Sequence, residues 1–315
     1  TLTNQGGILQ FNSATPAITV NGAANGNKIV FTNGTLSYRN VALVSLTNNW
    51  TTTGVGAFAW QGDANTLRLN NSSGTNTLGR PYLFSSALGS TNYARLELMN
   101  GATGVRGGFN VQGDGSMMVS NTTATFNGVL TNYSANVNLA GPTTITANNG
   151  ITWANSSAAT TTAGTVIFDV ATTHTLDGTV TFYQNGGATQ TVNGLVKDGG
   201  VFGVLVKGGP GTLILNYANT YSSNTVIEAG LMSISSACLA DGADIYLTTG
   251  ATFDLNFTGT DTIRALYFDG VKQYGTTWGG PGSGADYIST FFTGAGKLLL
   301  LDPGAPTVGT TFTFQ

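Results

Sequence analysis

Short apolar runs alternate with turn residues along the whole chain, and residues 199–234 show this pattern most clearly. Four runs in this stretch have the length of short strands and are separated by Gly, Asn, Thr or Ser; they cover residues 204–206, 213–215, 226–227 and 231–234. One strand and one turn repeated at short spacing are typical of a coiled β architecture. Signals for amphipathic helices are nearly missing, so the pattern predicts an all-β protein.

Pairs of residues that favour tight turns punctuate the middle of the chain. They are Asn127-Gly128, Asn149-Gly150, Asp177-Gly178, Gly186-Gly187 and Asn193-Gly194. Both hairpins and the corners of a β-solenoid would place such pairs between strands. Because the turns are frequent and no long antiparallel pair stands out, we expect short strands stacked in parallel turns, with their inward side chains in one continuous column.

Changes in composition divide the chain into four regions. Residues 1–104 form an N-terminal β region that we expect to supply the first turns of the solenoid, and residues 105–240 form the β-helix itself. Residues 241–301 are rich in aromatic side chains, and we expect them to cover the open end of the apolar column as a cap. Residues 302–315 combine a linker that contains two prolines with an extended last strand.

The tail, residues 307–315, alternates its side chains in the manner of a strand. One face of this strand carries Val308, Thr310, Phe312 and Phe314. Because two Phe side chains on one face should not stay in water, we expect the tail either to fold back along its own chain or to insert into a neighbouring copy. The acceptor is expected around Ile8, Leu9 and Phe11, and head-to-tail contacts of this kind propagate into filaments when they do not close.

Charge is scarce, because charged residues make up 8% of the chain against a typical share of about 25%. A neutral surface of Thr, Ser and Asn suits strands and tight turns, and it also suits packing against further copies of the chain. The 11 Lys and Arg residues form no basic stripe, which argues against a nucleic-acid partner. The sequence contains no apolar run of about 18 residues, so it predicts no transmembrane helix. The single cysteine, Cys238, is expected to be a small buried side chain.

Residues that could carry catalysis or bind a metal are few. His174 is the single histidine and no Gly-x-Ser-x-Gly turn accompanies it, so we expect a polar turn residue rather than a metal ligand or a catalytic base. The densest group of carboxylates comprises Asp241, Asp244, Asp254, Asp261 and Asp269. Accepting bonds from local N–H groups is their expected role, ahead of a calcium site or an acid–base pair. We therefore expect neither an enzyme nor a bound cofactor.

A fixed spacing of Lys, Gly, Thr-Leu and Asn-Thr-Tyr-Ser runs through residues 203–231. Its principal positions are Lys207, Gly209, Gly211, Thr212, Leu213, Leu215, Asn219 and Tyr221. This pattern resembles the autotransporter-associated β-strand repeat, also called the passenger-associated repeat. The resemblance implies a right-handed parallel β-helix outside the cell. The sequence begins at Thr1 rather than Met, so we also expect that a signal peptide has been removed and that the protein is secreted.

The positions of the repeat have roles that their chemistry itself suggests. The glycines, Gly209 and Gly211, should permit tight corners. The leucines, Leu213 and Leu215, should point into the column. Asn219 is expected to stack with an Asn of the next turn in an amide ladder, and Tyr221 is expected to cap a corner. Lys207 is expected to be an exposed, solubilising side chain.

These observations favour a secreted, non-enzymatic structural protein whose partners are copies of itself. In this interpretation the tail assembles the chains into a filament or a surface layer by strand donation. The alternative is a monomeric adhesin or carbohydrate-binding β-helix, in which Trp50, Trp60 or Trp278 would stack on the sugar rings of cell-surface glycans. Packing in the core or at the end is the more ordinary role of these tryptophans, and a polysaccharide-active enzyme is the least favoured class.

Overall fold

The computed structural model describes strands from residue 2 onward. Up to residue 154 it gives mainly the backbone of the strands, and it describes side chains for residues 119, 120, 122–126, 132, 137–153 and 158–304. Every regular element longer than a turn in these residues is a β-strand, so the predicted all-β class is confirmed. This part of the chain contains no helix of the length and hydropathy needed to cross a membrane.

The strands are short and follow one another closely. Those up to residue 154 are β1 (Leu2–Asn4), β2 (Gly7–Asn12), β3 (Ala17–Val20), β4 (Ile29–Thr32), β5 (Gly34–Arg39), β6 (Leu43–Leu46), β7 (Trp50–Thr53), β8 (Ala57–Gln61), β9 (Thr66–Asn70), β10 (Thr75–Leu78), β11 (Arg80–Phe84), β12 (Arg95–Val105), β13 (Phe109–Val111), β14 (Ser116–Phe126), β15 (Leu130–Tyr133), β16 (Asn136–Ala140), β17 (Thr143–Ala147) and β18 (Ile151–Ala154). Those from residue 158 onward are β19 (Ala158–Ala163), β20 (Thr165–Phe168), β21 (His174–Asp177), β22 (Thr179–Gln184), β23 (Thr189–Val192), β24 (Val196–Asp198), β25 (Val204–Gly208), β26 (Thr212–Leu215), β27 (Thr225–Ile227), β28 (Gly230–Ile234), β29 (Asp244–Leu247), β30 (Ala251–Leu255), β31 (Thr260–Ile263), β32 (Ala265–Phe268), β33 (Val271–Lys272), β34 (Thr277–Gly279), β35 (Tyr287–Ile288), β36 (Phe292–Thr293) and β37 (Lys297–Leu300).

Parallel pairing from one turn to the next sorts most strands into three ladders. The first ladder contains β1, β4, β7, β10, β12, β14, β17, β20, β23, β26, β28, β30 and β36; the second contains β3, β6, β9, β12, β14, β16, β19, β22, β25, β27, β29 and β32. The long strands β12 and β14 belong to both, and with β33 these two ladders make a 24-stranded sheet. The third ladder is a nine-stranded sheet of β2, β5, β8, β11, β13, β15, β18, β21 and β24. Successive strands of the chain belong to the ladders in a repeating order, and each pairs in parallel with the equivalent strand of the next turn. The predicted parallel β-solenoid is therefore confirmed.

Inward side chains of successive turns stack into one apolar column. Along the first ladder, Val192 lies opposite Leu215 and Leu215 lies opposite Ile234, and all three are almost completely buried. The column arises because every second side chain of a strand points to the same side. Burying one side chain of this size stabilises the fold by about 1.5–3 kcal/mol, so the column supplies the main stabilisation of a chain without a disulfide.

The third ladder ends at β24, directly before the repeat. From β25 onward the first and second ladders continue, while connecting segments such as residues 216–224 and 235–243 form the third face. The register is regular here, because Leu205 lies opposite Thr225 and Thr225 lies opposite Ile245. The solenoid therefore has strands on three faces up to β24 and on two faces in the repeat.

A separate four-stranded sheet follows the repeat, in the order β31, β37, β34 and β35. β37 pairs in parallel with β31 and in antiparallel fashion with β34, and β34 pairs in parallel with β35. β33 and β36 add one last strand to the second and first ladders. These strands form the C-terminal end of the described chain. That they act as a cap, and that the four regions are separate units, stays a prediction.

Candidate functional site

Lys207, the first polar position of the repeat, lies inside the solenoid. Along the second ladder it stands between Phe182 and Ile227, and all three side chains are 0% exposed. The prediction of an exposed, solubilising lysine is therefore wrong. The physical reason is that the aliphatic stem of lysine packs like an apolar side chain while only its amino group needs polar partners. The alternation of Leu205 and Lys207 on one side of β25 was the signal for this placement.

The ammonium group of Lys207 joins the corners of two successive turns. Its Nζ donates to the carbonyl oxygens of Gly208 and Gly209, both at 2.8 Å, and to that of Ala229 at 3.0 Å. Three acceptors match the three N–H bonds of an ammonium group. Burial lowers the pKa of Lys207 to about 8, and the charge of Glu228 acts in the opposite direction. The side chain is thus committed to holding the backbone of the corners.

The corner glycines allow one turn to rest directly on the next. Gly209 has a φ of 74° and Gly230 a φ of 67°, which L side chains rarely adopt. A Cβ on Gly230 would lie 2.4 Å from the carbonyl oxygen of Gly211, and a Cβ on Gly211 would lie 2.3 Å from that of Asn185. The spacing of glycines in the repeat therefore follows from backbone-to-backbone contact between stacked corners.

The apolar positions of the repeat fill the column. Leu213 and Leu215 are buried, whereas Thr212 between the corner and Leu213 is half-exposed. Tyr221 is also buried, and its hydroxyl lies 2.8 Å from that of Thr225. Burial raises the pKa of Tyr221. Tyr221 thus fills the interior between β26 and β27, and its expected role of capping a corner stays a prediction.

Asn219 replaces a strand on the third face. Its Oδ1 accepts a bond from the backbone N–H of Val196 at 2.9 Å, and the N–H of Thr220 donates to the carbonyl oxygen of Val196 at 2.9 Å. The loop therefore satisfies the edge of β24 with one side-chain bond and one main-chain bond. On its other side, Asn219 Nδ2 lies 3.9 Å from the sulfur of Cys238. Cys238 is half-buried, and burial raises the pKa of its thiol.

The predicted amide ladder does not form at Asn219, because Cys238 occupies the equivalent place in the next turn. A pair of asparagines stacks elsewhere: Asn216 Nδ2 donates to Asn193 Oδ1 at 2.9 Å. These residues lie just after β26 and β23, at an exposed corner. Turn-to-turn amide contact is thus present three residues earlier than the sequence pattern predicted.

Aspartates complete the third face. Asp198 accepts bonds from the N–H groups of Ser222 at 2.9 Å and Gly203 at 3.1 Å. Asp261 accepts bonds from the N–H groups of Cys238 and Leu239, both at 2.9 Å. Burial raises the pKa of Asp261, while these backbone donors act in the opposite direction. Each carboxylate ties one turn to the next, whereas the expected role was to bond local N–H groups. Asp261 also accepts one such local bond, from the N–H of Thr262 at 3.1 Å.

The remaining aspartates of the dense group also have structural partners or lie in a turn. Asp244 forms two bonds with Arg264, which lower its pKa, and Asp269 accepts bonds from Thr249, which lower its pKa as well. Asp254 bridges Ser233 at 2.7 Å and Thr293 at 2.9 Å, and Asp241 is exposed in a turn. Among the residues with described side chains, no three His, Cys, Asp or Glu residues are grouped so that they could hold a metal ion.

His174 is buried in β21 of the third ladder, so the prediction of a polar turn residue is wrong. Its Nδ1 accepts a bond from Trp153 Nε1 at 3.1 Å, and its ring stands edge-on to Phe168 at 4.7 Å between ring centres. Its Nε2 has no hydrogen-bond partner among the described residues. Burial lowers the pKa of His174 to about 3, because the aromatic surroundings disfavour an imidazolium ion. The alternation of His174 with Leu176 indicated an inward position.

Aromatic rings of the C-terminal region pack on one another. Phe268 stacks on Phe291 with 4.4 Å between ring centres and meets Trp278 edge-to-face at 5.4 Å. The other side of Trp278 stacks on Tyr287 at 5.1 Å, and its indole N–H donates to the carbonyl oxygen of Tyr274. Trp278 is therefore engaged in packing. Trp50 and Trp60 lie in β7 and β8, whose side chains are outside the described residues.

The predicted assembly residues differ in what the structure says of them. Ile8, Leu9 and Phe11 lie in β2, the terminal strand of the nine-stranded sheet, which pairs with β5. The tail residues Val308, Thr310, Phe312 and Phe314 lie outside the described residues. Their role stays a prediction.

Comparison with known proteins bears on the repeat. The family model described as passenger-associated-transport-repeat matches residues 205–234. This stretch extends over β25 to β28, and the resemblance that the sequence pattern indicated is confirmed. A search of curated proteins and a search of solved structures found no match for the chain.

Proposed function

We propose that this protein is a non-enzymatic structural protein that assembles into filaments by donating residues 307–315 to a neighbouring copy. The repeat and the β-solenoid fit a secreted protein that resembles an autotransporter passenger. Among the described residues, Asp244, Asp254, Asp261 and Asp269 bond neighbouring side chains or backbone N–H groups, which supports a structural role. Assembly is proposed from residues 7–12 and 307–315, which lie outside the matched repeat.

An available backbone edge at β2 carries the proposal. Among the strands that the structure describes, β2 pairs on one side, where Ile8 lies opposite Thr35 and Phe11 opposite Tyr38. The other edge of residues 7–12 can therefore accept a strand. Such a row of main-chain donors and acceptors is a template for β-augmentation.

The length of the tail favours a neighbouring copy over β2 of the same chain. β2 and β24 are the two ends of a nine-stranded sheet, which places them about 38 Å apart at about 4.8 Å per strand. Asn219, Cys238 and Asp261 mark three further levels on this face, so the separation grows to about 50 Å. Residues 305–315 span about 40 Å at most when fully extended. Pairing of the tail with β2 therefore requires a second copy.

The alternative function, a carbohydrate-binding adhesin, receives less support from the described aromatic residues. Trp278 is stacked on the ring of Tyr287 and is in edge-to-face contact with Phe268, and its indole N–H donates to the carbonyl oxygen of Tyr274. A sugar ring would need an exposed aromatic face on which to stack. Among the three tryptophans considered, Trp278 thus serves packing.

Removing the tail tests the proposal. The chain and a variant without residues 307–315 are compared by negative-stain electron microscopy and by sedimentation velocity over a range of concentrations. We expect filaments from the intact chain and monomers from the shortened one, because the donated strand is gone. A shortened chain that forms the same filaments at the same concentration would contradict the proposal.

A matched pair of variants separates the apolar face from the charge of the tail. The substitutions Phe312→Asp and Phe314→Asp place two carboxylates on the face that is proposed to insert. The substitutions Thr311→Asp and Thr313→Asp place the same charge on the opposite face. We expect the first pair to abolish filaments and the second pair to retain them, and equal loss in both would argue against insertion of the Phe face.

A further inference from the structure

Exposed apolar side chains are concentrated at the C-terminal end of the described chain. They are Val271, Tyr274, Tyr287, Ile288 and Leu301, and we call them the end patch; their exposed fractions run from 44% for Tyr274 to 64% for Val271. Exposed apolar residues that cluster mark interaction surfaces more often than scattered ones do. The end patch therefore needs a partner, and its position in the fold helps to identify that partner.

Backbone and side-chain contacts hold the segments of the end patch together. The N–H of Gly275 donates to the carbonyl oxygen of Pro303 at 3.1 Å, and that of Leu300 donates to the carbonyl oxygen of Thr276 at 3.0 Å. The ring of Tyr287 packs so closely on Gly275 that a Cβ there would lie 2.2 Å from it. Residues 271–276, 287–288 and 300–304 thus form one continuous surface.

The end patch is carried by the last strands of their sheets. Within the described residues, β33 pairs with β32 and β35 pairs with β34, each on one side. Val271 lies on β33, and Tyr287 and Ile288 lie on β35. The end patch therefore lies on strands that follow the last turn of the ladders and whose outer backbone edges no other described strand occupies.

The tail leaves the described chain within this surface. Gly304 packs on the ring of Tyr274, because a Cβ on Gly304 would lie 2.9 Å from two of its ring carbons. Only Ala305 and Pro306 separate Gly304 from Thr307, where the proposed donated strand begins. Three Cα–Cα steps of 3.8 Å span about 11 Å at most. The donated strand must therefore begin within about 11 Å of Gly304, and the strand that accepts it lies about 4.8 Å further away.

We propose that the end patch is the contact surface for the N-terminal end of the neighbouring copy, the end that contains β2. This inference rests on the proposed strand donation, because the short link between Gly304 and Thr307 leaves no room for another body between the two ends. Burial of the five apolar side chains would then add to the main-chain bonds of the donated strand. Strand donation would select the partner, and the end patch would fix the stacking of one copy on the next.

Charge placed in the end patch tests this inference. In the full chain, Ile288→Asp is combined with Leu301→Asp, and the control combines Val201→Asp with Phe202→Asp. The control residues are apolar side chains that are more exposed than Ile288 and Leu301, but they lie in the segment between β24 and β25, away from the end patch. The critical concentration for filaments is measured by light scattering and electron microscopy, and thermal melting by circular dichroism verifies that each variant is folded.

We expect the end-patch variant to raise the critical concentration at least tenfold and the control to leave it unchanged. A synthetic peptide of residues 302–315 should still bind to the end-patch variant that lacks its own tail, because β2 is intact. Filaments at the critical concentration of the unchanged chain would overturn the inference, even if removal of the tail abolishes filaments.

The two proposals fail in different ways. If the chain without residues 307–315 assembles as the full chain does, strand donation is wrong. If the end-patch variant then still loses assembly, the surface is a contact between copies without strand donation, and that part of the inference stands. If both variants assemble normally, both proposals are overturned.

Discussion

The turns before β24 and the turns from β25 onward enclose the same apolar column but close its third face differently. In the earlier turns a parallel strand such as β21 or β24 occupies that face and pairs through its main chain. In the turns from β25 onward, Asn219 and Asp261 take over, and they bond backbone N–H groups of the adjacent turn. The earlier part of the solenoid is thus held by backbone ladders on all three faces. The later part has backbone ladders on two faces and, on the third, side-chain bonds together with main-chain bonds such as that from Thr220 to Val196.

This difference explains why the repeat has a recognisable sequence and the earlier turns do not. A main-chain ladder places few requirements on the sequence beyond a suitable strand propensity, because every non-proline residue carries the same backbone donor and acceptor. A side chain that replaces a strand must have the correct length and chemistry at one position. Asn219 is such a position. Lys207, within β25, must likewise have the length and charge that reach the corner carbonyl groups, and with the corner glycines these two residues produce a pattern with fixed spacing.

Acidification should first weaken the part of the solenoid up to β24, in which strands form all three faces. The folded-state pKa of His174, about 3, lies below the ordinary value of about 6.5, so the unfolded chain takes up the proton first. The stabilising contribution is complete above pH 6.5 and is lost as the pH falls toward 3, at about 1.4 kcal/mol per pH unit. Urea unfolding at pH 7 and pH 4.5 should therefore differ by roughly 3 kcal/mol from this group.

The variant His174→Gln checks that assignment, because the amide keeps an acceptor for the indole N–H of Trp153 and has no charge to gain. We expect it to lower the free energy of unfolding at pH 7 but to remove most of the loss between pH 7 and pH 4.5. Asp244 and Asp269, whose pKa values are lowered in the fold, should cause further loss only below about pH 4. An unchanged pH dependence in the variant would show that His174 is not the acid-sensitive group.

Removing the amino group of Lys207 should weaken the part of the solenoid from β25 onward, in which strands form two faces. Lys207→Met keeps the buried stem and leaves the carbonyl groups of Gly208, Gly209 and Ala229 without this donor. We expect the free energy of unfolding to fall by about 2–3 kcal/mol, because buried acceptors without partners are costly. The matched control is Lys197→Met in the exposed part of β24, which should change it by less than about 0.5 kcal/mol. Equal small effects in both variants would mean that the corners hold without the ammonium group.

The smallest effect should come from the side chain that substitutes for a strand. Asn219→Ala removes the acceptor of the Val196 N–H, and we expect a loss of about 1–2 kcal/mol together with faster hydrogen exchange at the Val196 amide. Asn216→Ala serves as the control, because its bond to Asn193 is exposed and should contribute less than about 0.5 kcal/mol. Unchanged protection of the Val196 amide in Asn219→Ala would remove the basis of the contrast between the two parts.

Strand positions in the repeat could be read from the sequence because apolar pairs and turn residues alternate there without ambiguity. The four predicted runs correspond to β25 (Val204–Gly208), β26 (Thr212–Leu215), β27 (Thr225–Ile227) and β28 (Gly230–Ile234). The end of the third ladder could not be read in this way. Residues 216–224 look like an ordinary turn-rich loop, and only the structure shows that Asn219 bonds β24 across the face.

The predictions for Lys207 and His174 are wrong for a common reason. The usual preferences of lysine and histidine predict polar positions at the surface or in a turn. Each residue, however, follows the period-two alternation of its strand with a neighbouring leucine, Leu205 or Leu176, and is buried. Alternation is a geometric rule of the backbone, whereas residue preference is a statistical tendency. The buried state of each residue also depends on partners that are distant in sequence, Ala229 and Trp153, which no local pattern indicates.

The constant register of the repeat has a consequence for the size of the molecule. Leu205, Thr225 and Ile245 follow one another at the same position of the second ladder, so duplication of residues 205–224 would insert one whole turn and leave the pairing on either side unchanged. Each insertion would lengthen the molecule by about 4.8 Å without altering either end. Duplication of whole turns would therefore change the length of such a molecule in equal steps while its end surfaces stay the same.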